Sequence, residues 1–220
     1  MTCLRGGPRI VAPQRDSGLK SGEVDMGGIS AQPVGIKKPK TKYIKLFAAI
    51  NQQSINALMN VVDQELKGGI ERFVLLISSP GGSDFYGLSA YNFLKGIPAE
   101  VITHNFGSVD SIAAVLFCTG NKRYSVPHAR FLLHGVAASF EKAAFEEKQL
   151  EERLKSLQID MQNIAGVIAA TTRKTEKEIF DAMVERTTLN PEQAREFGLV
   201  HEIKEELIEP GADLISIVQN

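Results

Sequence analysis

The sequence predicts an α/β domain with a mainly parallel sheet, and three observations carry that prediction. Strand-like and helix-like segments alternate from residue 43 onward. Phe73-Val-Leu-Leu-Ile77 is a continuous apolar run of strand length, the pattern of a strand covered on both faces. Two turns containing glycine and serine, at 78–82 and 106–110, each follow a strand-like run and open a helix-like one. A chain of 220 residues is long enough for one domain with its own core and an additional arm.

Tyr43–Ile50 reads as the first strand. Ile55, Leu58, Met59, Val62 and Leu66 then fall on one helical face, and Gly68-Gly69 stops that helix. After the apolar strand at Phe73 comes the turn Ser78-Ser79-Pro80-Gly81-Gly82, followed by a helix through Phe85, Leu88, Tyr91 and Leu94 that ends at Gly96-Ile97-Pro98. A strand at Glu100–Asn105, a turn at Phe106–Asp110 and an apolar helix from Ser111 to Cys118 repeat the unit. Tyr124–Ser125 and Arg130–His134 read as short strands. Leu150, Leu154, Leu157, Met161, Ile164 and Ile168 are spaced 4, 3, 4, 3, 4 within one long helix, about residues 141–171, whose other face is dense in charge. Such a helix is longer than the domain is wide and is expected to pack against another subunit. A helix over Glu176–Arg186 follows. Asn190-Pro191-Glu192-Gln193 then has the cap, first-turn proline and N3 glutamine of a helix start, Gly198 ends that helix, and Leu199–Ile203 is a closing strand. The acidic segment beyond Lys204 carries little signal.

Composition narrows the function classes. Hydrophobic residues at 43% and charged residues at 23% exclude wholesale disorder, collagen and a coiled-coil rod. No apolar run reaches the roughly 18 residues of a membrane span, and the N-terminus lacks the apolar core of a secretory signal. Two cysteines, Cys3 and Cys118, are too few for a disulfide framework, which fits a reducing, cytoplasmic setting. Residues 1–46 hold nine Lys/Arg against three Asp/Glu, so the net charge of −1 divides into a basic arm and an acidic remainder. Residues 1–42 have seven glycines, four prolines and no aromatic residue, the composition of a flexible arm. Without interleaved aromatic residues the arm does not read as a nucleic-acid site.

Ser111 follows a strand at the start of a helix, where unpaired backbone N–H groups stabilise an alkoxide or oxyanion; a helix-capping serine accounts for it equally. Pro80-Gly81-Gly82 stands directly after another strand, so both turns fall on one edge of a parallel sheet, and glycine lets an N–H face a bound carbonyl. His134 closes the apolar strand Phe131-Leu132-Leu133 and is a base suited to neutral pH. His104, His128 and His201 are scattered without metal-ligand spacing, and no metal, phosphate loop or other cofactor is expected.

The run Ser79-Pro80-Gly81-Gly82-Ser83, then Gly107 with Ser111, then Lys122-Arg123-Tyr124-Ser125-Val126-Pro127-His128-Ala129-Arg130-Phe131-Leu132-Leu133-His134, resembles the proteolytic subunit of the Clp protease. Ala194-Arg195-Glu196-Phe197-Gly198-Leu199-Val200 is similar to that family's closing motif, and the resemblance covers about residues 43–205. It implies a peptidase domain over 43–205 between the arm 1–42 and a C-terminal tail 206–220, with the crotonase-like α/β spiral as its fold and 141–171 as a protruding handle helix. It implies a serine endopeptidase with Ser111 as nucleophile, His134 as base, the amides of Gly82 and Ile112 as oxyanion hole, and Gly81 and Ser83 beside an unfolded polypeptide bound as an added strand. Self-association into a heptamer or double ring, and an AAA+ unfoldase as partner, are further implications.

Aligned backward from Gly198-Leu199, the family's third catalytic residue falls at about Ala182, and the adjacent Asp181 is the expected orienting acid. The displaced aspartate motivates a rival reading, a weak or inactive ring subunit acting as scaffold. A second rival is an acyl-CoA hydratase or isomerase on the same scaffold, against which Ser111 with His134 argues.

Overall fold

The computed structural model describes residues 38–137 and 144–218. The readings of the arm, apart from its last residues, and of the long helix at 141–143 lie outside these. β1 (Thr41–Phe47) leads through a loop to α1 (Gln52–Lys67). That helix opens on a reciprocal cap: Asn51 Oδ1 accepts from the Ser54 N–H, and Ser54 Oγ accepts from the Asn51 N–H. It stops at Gly68, and Gly69 turns the chain with φ 79°. β2 (Arg72–Ser79), α2 (Asp84–Gly96) and β3 (Glu100–Asp110) follow. Next come α3 (Ala113–Phe117), β4 (Lys122–Ser125) and β5 (Arg130–Leu132). The chain then forms α4 (Glu147–Thr172), α5 (Glu176–Val184), β6 (Thr188–Leu189), α6 (Pro191–Phe197), β7 (Glu202–Ile203) and β8 (Leu214–Val218).

The strands form one sheet in the order β6-β5-β3-β2-β1-β8, with β4 joining β3 to β7. Every pairing is parallel except β5 with β6. The main core lies under α1, α2, α3 and the second half of α4, and includes Ile44, Phe73, Leu75 and Phe117. Tyr43, Val74, Leu76 and Ile102 form a second cluster with Tyr124 and Leu207. β2 therefore needs apolar residues at consecutive positions, as its sequence predicts.

Several elements depart from the sequence reading. The long helix expected from about residue 141 begins at Glu147, with 144–146 outside it, and the closing strand expected over Leu199–Ile203 is only the two residues of β7. β3 runs through the expected turn at 106–110. Its far half pairs with β5, Ser108 opposite Arg130 and Asp110 opposite Leu132, and buried Asn105 bridges the irregular stretch: Oδ1 accepts from Gly107 N–H at 2.9 Å and Nδ2 donates to Arg130 carbonyl at 2.9 Å. The helix expected from Ser111 to Cys118 is the single turn α3. The segment 206–220, read as a tail, contains β8, which lies parallel to β1 with Tyr43 opposite Leu214.

Arg123 ties the C-terminal elements to the sheet. It is buried, and its guanidinium donates to the carbonyls of Leu199 at 2.7 Å, Gly120 at 3.0 Å and Gly198 at 3.3 Å. α4 is divided along its length. Ile164, Ala165, Ile168 and Ala169 are buried, whereas Leu150, Leu154 and Ile159 are exposed. At about 1.5 Å per residue the helix is roughly 39 Å long and its first half carries a bare apolar stripe.

Candidate active site

Two turns at one end of the sheet build the site. After β2, Ser79 Oγ accepts from the Gly81 N–H. Gly81 and Gly82 take φ of 87° and 151°, and the turn is stitched to the β1–α1 loop: Ile50 N–H donates to Gly81 carbonyl and Ser83 N–H donates to Ile50 carbonyl, each at 2.8 Å. A Cβ on Gly81 would lie 2.6 Å from Ser111 Cβ, and one on Gly82 would run into the Ile50 backbone. Glycine is thus required by space as well as by conformation.

Ser111 stands between β3 and α3 with φ 59°, a conformation that non-glycine residues seldom adopt and that costs on the order of 1 kcal/mol or more. Its N–H donates to the Leu132 carbonyl at 2.7 Å, two residues before His134. The Ser111 backbone and the chain leading to His134 are thereby held together. Ser111 does not cap α3: the cap residue is Ile112, and no side chain caps that turn. Asp110 points the other way, as alternation along a strand requires, with one carboxylate oxygen on Arg130 at 2.6 Å.

Ser111, His134, Gly82 and Ile112 line one pocket of about 120 Å³. His134 Nδ1 lies 2.7 Å from the Gly135 carbonyl. A carbonyl only accepts, so Nδ1 carries the proton and Nε2 is left with its lone pair, the tautomer a base needs. Among the described residues Ser111 Oγ makes no hydrogen bond to His134, and the N–H groups of Gly82 and Ile112 find no acceptor. Both amides border the pocket unpaired. Gly81 and Ser83 flank Gly82 in its turn, but neither is among the residues that line the pocket.

Asp181 is not brought to this pocket. Its carboxylate is half exposed and pairs with Lys177 Nζ at 2.6 Å, one turn back on α5. α5 is regular here, so Ala182 is buried and Met183 lines the pocket. A one-residue displacement on a helix turns a side chain by about 100°, which is why the adjacent aspartate does not substitute.

A different acid, which the sequence reading did not single out, does line the pocket. Asp84 is the first residue of α2 and is half buried. Burial raises its carboxyl above the ordinary range, the charge of Asp160 pushes the same way, and His134 pulls back. The signal in the sequence was its place two residues after Gly82. Among the described residues no group of three or more His, Cys, Asp or Glu side chains is arranged to hold a metal ion, and no helix is long and apolar enough to cross a membrane.

The family model for Clp protease matches residues 37–206, and the chain belongs to the Clp protease family. Its crotonase-like α/β fold, with the long α4, is the fold of that family. Among similar proteins, the ATP-dependent Clp protease proteolytic subunit of Bdellovibrio bacteriovorus is 27% identical over 169 residues, 76% of this chain and 80% of that protein. Proteolytic subunit 3 of Rhodococcus jostii is 32% identical over 132 residues, 59% of this chain and 64% of that protein. Proteolytic subunit 2 of Tropheryma whipplei is 32% identical over 139 residues, 62% of this chain and 75% of that protein.

Proposed function

We propose that the chain is a serine endopeptidase subunit of the Clp type that cleaves unfolded polypeptide with a Ser111–His134 pair. One observation carries the reading: a serine in a strained strand-to-helix turn, a histidine of the correct tautomer and two unpaired amides border one pocket. Ser111 Oγ attacks the peptide carbonyl carbon while His134 Nε2 takes its proton. The carbonyl oxygen, now negative, is met by the Gly82 and Ile112 N–H groups. His134 passes the proton to the leaving amine, the C–N bond breaks, and an acyl ester remains on Ser111. Water, deprotonated by His134, then hydrolyses the ester and restores the hydroxyl.

The Gly135 carbonyl takes over one task of the missing acid. It fixes the tautomer and the ring plane, but it carries no full charge to offset the imidazolium, so the rate is expected below that of a complete triad. The exposed Leu150 and Leu154 on the first half of α4 support self-association into a ring or double ring; a cytoplasmic setting and an AAA+ unfoldase delivering substrate are supported by the family alone. The solvent-facing Asp181 favours one rival, a weak or inactive scaffold subunit. Incubation with a fluorophosphonate probe and mass spectrometry decides between them. Labelling of Ser111 that is lost in Ser111→Ala and in His134→Ala is the expected result; an unlabelled Ser111 in the assembled protein supports the scaffold.

A further inference from the structure

The pocket beside Ser111 is apolar on most sides and acidic at one point. Leu133, Val136, Ile164, Ile168 and Met183 supply the apolar wall, and among the described residues Asp84 is the one carboxylate that lines it. Among the described residues Asp84 accepts no hydrogen bond and joins no ion pair, although it is half buried and Asp160 adds further negative charge nearby. A helix start alone accounts for an acid at the first position of α2. It does not account for that acid facing the cavity that holds the nucleophile and the base. The cavity of about 120 Å³ has room for several waters, and so for one extended side chain. The occupant that matches an apolar wall with a single unpaired carboxylate has an aliphatic stem and a cationic head.

Resting on the peptidase reading above, we propose that Asp84 makes this pocket a subsite for Lys or Arg, at the residue whose carbonyl Ser111 attacks. An approaching ammonium or guanidinium completes the coordination that Asp84 lacks, and the stem of the side chain lies along Ile164, Ile168 and Met183. An acidic side chain would meet both Asp84 and Asp160 and be repelled.

The test uses the full chain and four acetylated peptides, differing only in Lys, Arg, Leu or Glu before the scissile bond. Binding to Ser111→Ala is measured by calorimetry and cleavage by the wild-type chain by kcat/KM. Lys and Arg peptides are expected to bind and react about tenfold better than the Leu peptide, with Glu last. Asp84→Asn should abolish the Lys and Arg advantage, and Asp84→Lys should move the preference to Glu. Equal binding of Lys and Leu peptides, or a uniform loss on all four in Asp84→Asn, overturns the proposal; the uniform loss would make Asp84 a positioning group for His134. Fluorophosphonate labelling of Ser111 is scored separately. Its failure sinks the peptidase reading, while the binding series on Ser111→Ala still decides the cation subsite.

Discussion

The two sides of the candidate site are built by different means. On the side of the proposed nucleophile, Gly81, Gly82 and Ser111 all have positive φ, and three hydrogen bonds made by the main chain of Gly81 and Ser111 tie this side to Ser79, Ile50 and Leu132. Few residue types satisfy those demands. On the base side, His134 is held among the described residues by one hydrogen bond to its own neighbour's carbonyl, and α5 brings Met183 to the pocket rather than a carboxylate. A site can thus keep its backbone half under strict geometric control while its acid, which depends on the angular position of one side chain on a helix, is lost by a single step. In the proposed chemistry main-chain N–H groups meet the oxyanion and the main-chain carbonyl of Gly135 orients the base, so only the charge behind the base depends on a side chain.

Breaking the base side outright has the largest expected effect. His134→Ala should lower kcat for peptide hydrolysis by about 10³-fold or more, leaving what the amides and binding provide. Breaking the backbone side comes next: Gly82→Ala, which forces a Cβ against Ile50, should cost about 10²-fold in kcat/KM, the scale of one lost oxyanion donor. Acid unfolding sharpens the comparison by placing a titration away from both sides. Burial lowers the pKa of His104 from 6.5 to about 4, against the hydrogen bond its ring makes with the Lys204 carbonyl. The unfolded chain therefore binds a proton that the folded chain refuses between those values. Stability is full above about pH 6.5 and falls as the pH drops toward 4, by about 2 kcal/mol between pH 7 and 5. Denaturant titrations of His104→Asn across that range should be nearly flat. The smallest effect is expected for Asp181→Ala, within about twofold of wild type in kcat/KM and in its pH profile, since the carboxylate it removes serves only an exposed pair with Lys177. A large loss there would return Asp181 to the site in the assembled protein.

How far the sequence could be read follows the same division. The turn at Gly81-Gly82, the cap at Asn190 and the fully buried β2 were legible because each rests on a local rule of conformation or burial. Gly107 and Ser108 look like a turn in sequence, and it is the Asn105 side chain within β3 and the β5 residues across the sheet that keep them extended. β8 was missed because it is an edge strand, mostly exposed, with few apolar positions facing inward, although Leu214-Ile-Ser-Ile-Val218 has the composition of a strand. Asp181 was expected at the site because sequence spacing measures distance along the chain and not direction around a helix. Asp84 went unnoticed because an acid in the first turn of a helix has an ordinary explanation.

The left-handed backbone of Ser111 sets activity against durability. Glycine occupies that conformation at almost no cost, so Ser111→Gly is expected to make the fold more stable, by about 1 kcal/mol, while removing the hydroxyl on which the chemistry depends. Selection for heat resistance alone would therefore favour glycine at this position, at the expense of the proposed chemistry.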